Sequence, residues 1–441
     1  MTRRLLMVSP HFPPDGSAGA HRARLLAPHL PDHGWEPTVV TVDPRDYETR
    51  LDPELAAMVP SSLRVIRCRA WPARWTRRVG IGDLGLRAFR GLYGACSALL
   101  REEAFDALFI TIYPAYPAML GPVLKRRFHV PFVLDYQDPW VGSWGRTVGG
   151  GPGGRADRRS RLSRWLAARL EPVAVRAADA ITAVSAETYE AMWSRNPDLP
   201  RPACLTLPIG GEEADFAHVR AGDRRNPYFD PSDGNVHICG VGTLLPLGFE
   251  TLRAVLRALA EVREHRPHLY ERIRLHFFGT SNETRADAPA RVRPVADALG
   301  VGDHVHEVAP RIAYSDAIAV QAQATALLLM GSTEHHYTAS KLYPGFLAAR
   351  PLVAVYHEAS SVCEILRRAA RPPSVRLIAY DDRARAESRV DDIAAALSAV
   401  AEDPSYDARA VDLEVLAGYS AHALAGRLAK LLDDVAGPRL P

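Results

Sequence analysis

The chain has 441 residues, too many for one ordinary hydrophobic core, so about two to three domains are expected. With 47% hydrophobic and 24% charged residues it has a soluble globular composition, and its net charge of +3, with the signs interspersed, supplies no basic stripe for nucleic acid. No stretch approaches the roughly 20 apolar residues of a membrane span, and the start Leu5–Val8 is too short an apolar run for a signal peptide. Cys68, Cys96, Cys204, Cys239 and Cys363 are scattered without Cys-x-x-Cys spacing, and read as buried thiols of a cytoplasmic protein.

In chain order, strands are predicted over Leu5–Ser9, Pro37–Val42, Leu63–Cys68, Ala107–Ile112, Phe132–Tyr136 and Ala180–Val184. Helices are predicted from Gly19 to His33 and over Asp83–Glu102 and Arg158–Ala178. The strand runs are short, aliphatic and non-alternating, as expected where both faces of a parallel sheet are covered. Between the first strand and first helix lies Ser9-Pro10-His11-Phe12-Pro13-Pro14-Asp15-Gly16-Ser17-Ala18-Gly19. Gly19 removes side-chain bulk at the helix start, which suits either close packing or an anion on the free backbone N–H groups. Asp138, before Pro139, has the form of a helix N-cap or of a carboxylate that accepts a substrate hydroxyl. Arg155–Arg169, after the glycine patch Gly149–Gly154, reads as a solvated basic helix face in preference to a lipid-binding one, because large apolar anchors are few there.

Residues 207–234 are turn-rich and polar and read as a linker between a first domain, 1–206, and a second, 235–418. In the second, strands are predicted over Val236–Gly240, Arg274–Phe278, Val305–Val308, Ala326–Met330, Leu352–Val355 and Arg376–Ala379, with helices over Phe249–Glu264 and around Ala290–Leu299. Residues 419–441 hold a last amphipathic helix, about Ala421–Val435. Gly240-Val241-Gly242-Thr243 repeats the glycine-rich turn of the first domain. His304, His306, His335 and His336 read as solvent-facing or ligand-contacting, since no Cys or carboxylate cluster accompanies them; a metal site is not expected.

Of 54 basic residues only Lys125, Lys341 and Lys430 are lysines. Against so strong an Arg bias, Lys341 between Ser340 and the apolar Leu342 reads as a point-charge phosphate ligand, the alternative being a solvated lysine at a helix start.

Taken together, Leu6-Met7-Val8-Ser9 with Pro13-Pro14 and Gly19, the segment Leu134–Trp140, Ala178–Ser185, and Ser340-Lys341-Leu342-Tyr343 with Arg350–Ala354 resemble the large retaining group of GT-B glycosyltransferases, the group 1 or family 4-like enzymes. The resemblance implies an α/β chain of two Rossmann-like, doubly wound domains facing a cleft, with the last helix crossing back to the first domain. It implies a metal-independent transferase whose co-substrate is a nucleoside-diphosphate sugar and which needs no cofactor, acting on a small hydroxyl or thiol acceptor. By the same resemblance Asp138 lies near the reacting hydroxyl, Gly19 meets the diphosphate, Pro310 and Arg311 edge the nucleobase, and Ser340, Lys341 and Leu342 lie along the diphosphate or ribose. Gly242 and Thr243 form the donor loop, where Thr243 and Leu247 occupy the places of the family's usual cations, leaving Lys341, Arg311 and Arg22 to neutralise the leaving group. The family's two donor carboxylates fall at His336 and Pro344, so a modified donor sugar and specialised metabolism are expected unless Glu334 substitutes. A nucleotide-sugar epimerase, an envelope lipid or polysaccharide transferase and a degenerate sugar-nucleotide binder stay open as alternatives.

Overall fold

The strand β1, Arg3–Val8, sends Leu5 and Met7 to one side and Leu6 and Val8 to the other, and all four are fully buried. That double burial explains the run of apolar residues: the sheet it belongs to is covered on both faces. In the computed structural model, which describes residues 2–141, 158–221, 224–281, 283–333 and 341–438 (side chains of 158–160 excepted), the chain divides into two units. The first comprises Met1–Ile209 with Ala421–Pro441, and the second Gly210–Ser420.

The first unit is a parallel sheet in the order β3-β2-β1-β4-β5-β6-β7. Its strands after β1 are Trp35–Val42, Arg64–Cys68, Ala107–Thr111, Phe132–Tyr136, Ala180–Ala183 and Ala203–Thr206. On one face Leu6, Val8, Ile110 and Leu134 pack with the helix Leu84–Glu102, whose start is fixed by the Asp83 side chain accepting from Leu86 N–H. On the other face Leu5, Met7, Phe109 and Val133 pack with Leu424, Leu428 and Leu432 of the last helix, Ala421–Ala436. Burying each such leucine stabilises the unit by about 1.5–3 kcal/mol, so the distant C-terminal segment is an integral layer of the first unit.

The second unit has the order β10-β9-β8-β11-β12-β13. These strands are Val236–Val241 (β8), Ile273–Phe278, Val305–Val308, Ala326–Met330, Leu352–His357 and Val375–Tyr380 (β13), again parallel throughout. Ile238, Leu275, Leu328 and Val353 pack with the helices Phe249–His265 and Val390–Glu402. Both units are thus Rossmann-like. Residues 207–234, read as a linker, contain the helix Glu213–Ala221, which belongs to the second unit.

The five cysteines are free, and all except the half-buried Cys204 are buried. Burial pushes the thiols of Cys204 and Cys363 up to about 11. No described helix is long and apolar enough to cross a membrane. The helix Arg158–Ala177 carries a few exposed large apolar side chains: Leu162 is 57% and Trp165 53% exposed, and the Arg169 guanidinium lies 5.2 Å from the Trp165 ring centre.

Candidate functional site

In a parallel α/β sheet, ligands meet the loops at the carboxyl ends of the strands. In the second unit this is where β8 gives way to Gly242-Thr243-Leu244. Gly242 has φ +123°, a conformation that favours glycine, and a Cβ there would overlap the Nζ and Cε of Lys341. The lysine side chain therefore lies across the bare glycine backbone. Gly242 N–H donates to Phe278 O at 2.7 Å, and Leu244 N–H to Thr280 O at 2.9 Å. Arg291 Nη1 donates to Leu244 O at 2.7 Å, pinning the loop from outside. Arg291 is itself held in place, since Glu307 accepts from the N–H groups of Arg291, Val292 and Arg293 at 2.8–2.9 Å. This brace leaves no sequence signature, because Glu307 and Arg291 sit on separate elements.

Gly242, Thr243 and Lys341 line one small cavity of about 40 Å³, closed by Gly331 and Tyr356. Burial pushes the Lys341 ammonium down to about 8, and the positive charge of Arg311 adds to the shift. Arg311 follows β10 and Pro310, its N–H donating to Glu283 O at 2.9 Å. The structure thus brings Gly242, Thr243, Lys341 and Arg311 together: two cations beside a fixed backbone turn, an arrangement suited to an anion. A lysine held this way with no ion-pair partner among the described residues is the reverse of a solvated surface lysine.

Other expected residues fare differently. His336, Ser340 and Glu334 lie outside the described residues. Leu342 is only 1% exposed and opens the helix Leu342–Leu347, so its side chain belongs to the packing. Gly19 precedes the helix Ala20–Leu26, and a Cβ there would overlap the Tyr113 ring, so close packing accounts for the glycine.

Arg22 is corrected outright. Its side chain is 1% exposed, with Nε 3.0 Å from Asp135 Oδ2 and Nη1 donating to Pro208 O at 3.1 Å. Thr182 completes the arrangement by donating to Asp135 Oδ1 at 2.8 Å. Nε and Nη1 are committed, Nη2 is buried without a partner, and the side chain as a whole is shut off from solvent.

Asp138 stands half-buried just beyond β5, where burial pushes its carboxyl up to about 6. A helix capped by Asp138 would start at Pro139, but residues 139–141 are not helical, so the capping reading does not hold there. His304 stacks on Tyr270 at 3.9 Å between ring centres, and His306, which is exposed, stacks on His276 at 5.0 Å. Among the described residues, the group with metal-ligand spacing is Glu261, Glu264 and His265, on the outer part of one helix.

Residues 17–210 match the family described as Glycosyl transferase 4-like domain. No curated protein sequence matches the chain. Among solved structures, the chain resembles Anabaena HepE in complex with UDP-glucose, with a TM-score of 0.59 at 12% identity over 97% of this chain and 99% of that one. It also resembles the UDP-forming alpha,alpha-trehalose-phosphate synthase of Burkholderia xenovorans, with a TM-score of 0.61 at 13% identity over 97% and 99%. The N-terminal domain of Candida albicans trehalose-6-phosphate phosphatase gives 0.58 at 14% identity over 98% and 97%. At such identities the likeness is one of fold, and it extends over both Rossmann-like units. Residues 17–210 thus match a glycosyl transferase 4-like domain, and the chain as a whole shares its two-unit fold with these structures.

Proposed function

We propose that the chain transfers a glycosyl group, with retention, from a nucleoside-diphosphate sugar held by the second unit to a hydroxyl or thiol of a small acceptor held by the first. The observation that carries this reading is Lys341 lying across Gly242 with Arg311 nearby. Two cations at a fixed turn stabilise the charge that builds on a departing diphosphate, and the acceptor proton passes to a phosphate oxygen. The UDP-glucose of the HepE complex supports a uridine donor. In this reading Asp138 accepts a hydroxyl of the acceptor, and Thr243 and Pro310 border the nucleotide. Ser340 and His336 are assigned to donor binding by the sequence resemblance alone.

The donor sugar is a modified one and the product belongs to specialised metabolism, in the cytoplasm. Pro344, within the helix Leu342–Leu347, has no side-chain acceptor, and a neutral His336 has one acceptor nitrogen where a carboxylate offers two oxygens. Sugar hydroxyls left unpaired there cost about 1–3 kcal/mol each, which a deoxy or amino sugar avoids. Steady-state kinetics with UDP-glucose, GDP-mannose and their deoxy and amino counterparts tests this. A strong preference for a modified donor, lost in His336→Ala, is expected; equal kcat/KM for all of them contradicts it.

Chemistry of this kind needs no divalent ion. Glu261, Glu264 and His265 form no enclosed site, so activity is expected to survive excess EDTA. Complete loss that magnesium restores would defeat the metal-independent reading.

A further inference from the structure

The first unit holds a cavity of about 390 Å³, with His11, Tyr47, Glu48, Asp83, Arg87 and Tyr113 on its wall. These residues come from the loop after β1, the segment after β2, the start of the helix Leu84–Glu102 and the loop after β4. Its polar groups are built in. The His11 Nδ1 hydrogen-bonds Asp15, and the ring stacks on Tyr47 at 5.9 Å between centres and tilts against Tyr113 at 5.6 Å. Asp15 is fully buried and also accepts from Ser17 N–H, Ser17 Oγ and Thr49 Oγ1 at 2.6–2.9 Å. Burial opposes its ionisation, but the bond and charge of His11 together with the Thr49 and Ser17 bonds outweigh that and hold the carboxyl below its usual range. An ionised Asp15 only accepts, so Nδ1 carries a proton and Nε2 is the remaining polar edge of the ring.

The charges on the wall discriminate among ligands. Arg87 is 2% exposed, and its terminal nitrogens are committed: Nη1 to Trp71 O at 2.9 Å, Nη2 to Asp46 O at 3.1 Å and to Glu48 at 3.3 Å. No open guanidinium fork therefore faces a phosphate. Glu48 is shared with Arg77 at 2.9 Å. Asp83 has no ion pair among the described residues; burial raises its carboxyl above the usual range, with His11 and Arg87 acting the other way. The cavity is a carboxylate-bearing, aromatic-walled space beside a fixed imidazole.

We propose that this cavity is the acceptor subsite and takes a small polyhydroxylated acceptor bearing an amine, the amine meeting Asp83 and a hydroxyl meeting His11, while phosphorylated acceptors are rejected. The assignment of the ligand as acceptor rests on the transfer reaction proposed above; the binding preference does not. Calorimetry on the full chain with glucosamine, glucose and glucose 6-phosphate, each with and without UDP, separates the two. Glucosamine is expected to bind best and glucose 6-phosphate not measurably. Asp83→Asn keeps a helix-capping side chain and is expected to cut glucosamine affinity about tenfold while leaving glucose within about twofold, the effect of losing one charge-assisted contact. His11→Gln is expected to weaken glucosamine and glucose together. Glucose 6-phosphate binding as tightly as glucosamine, an unchanged glucosamine-to-glucose ratio in Asp83→Asn, or UDP binding with no sugar binding would each overturn the proposal. Sugar binding as expected without any UDP binding would instead sink the transferase reading and leave the cavity's chemistry intact.

Discussion

Lys341→Ala is expected to lower kcat/KM for the nucleotide-sugar donor by about 10²-fold or more, because removing a charge-assisted contact to the leaving group in a closed site costs roughly 3 kcal/mol. The geometry makes the lysine hard to replace: its ammonium lies across Gly242, and any side chain at position 242 would displace it. Burial and Arg311 hold the group at about 8 against its ordinary 10.5, a state that an anion beside it would relieve. Donor affinity of the free protein is therefore expected to fall as pH rises through about 8, and Lys341→Ala should lack that fall. Stability runs the other way. Between about 8 and 10.5 the unfolded chain holds a proton that the folded one has released, so stability rises with pH across that window, and at neutral pH the buried charge is a net cost. Lys341→Met should accordingly be at least as stable as the parent at neutral pH while losing donor binding. Unchanged kinetics in Lys341→Ala would make the lysine an ordinary structural residue.

Asp135→Ala is expected to destabilise the first unit by about 3–5 kcal/mol, since it leaves the Arg22 guanidinium buried without its counter-charge. Burial already pushes the Asp135 carboxyl upward, and Arg22 and Thr182 only partly offset this. The pair is thus held by geometry in a costly environment. The double change Arg22→Met with Asp135→Leu is expected to recover most of the loss, because two apolar side chains of similar length remove both buried charges at once. Urea unfolding followed through the transition of the first unit measures this. A single variant within about 0.5 kcal/mol of the parent would put the ion pair in water and reopen Arg22 as a ligand group.

The strands were legible because both faces of each sheet are covered: Phe132–Tyr136, Val305–Val308 and Ala326–Met330 have the same bounds in sequence and structure. The last helix was equally plain, since Leu424, Leu428, Leu431 and Leu432 recur at helical spacing. The helix Glu213–Ala221 was missed because the Gly- and Pro-rich stretch just after it coloured the whole segment as linker. The strand Ala203–Thr206 was passed over between Pro202 and Pro208, too short to show a pattern of its own.

Lys341 stood out by the rarity of lysine in an Arg-rich chain, and Gly242 by its place after a strand. Long-range pairs left no such trace. Arg22 was left, with Lys341 and Arg311, to neutralise the leaving group because Thr243 and Leu247 are not cationic, yet its partner Asp135 lies 113 residues away. Asp83 comes to His11 from a segment that shares no motif with it, and only the fold brings the two together.

The most direct measurement is nucleotide release when the protein is incubated with a panel of nucleoside-diphosphate sugars, with and without small polyol and aminosugar acceptors. Release that depends on acceptor, accompanied by a glycosylated product, is the expected result, with the anomeric configuration of the product matching the donor. Interconversion of the donor sugar without transfer, or saturable donor binding with no turnover under any acceptor, would contradict it, the first outcome indicating an epimerase and the second a sugar-nucleotide-binding relative without catalysis.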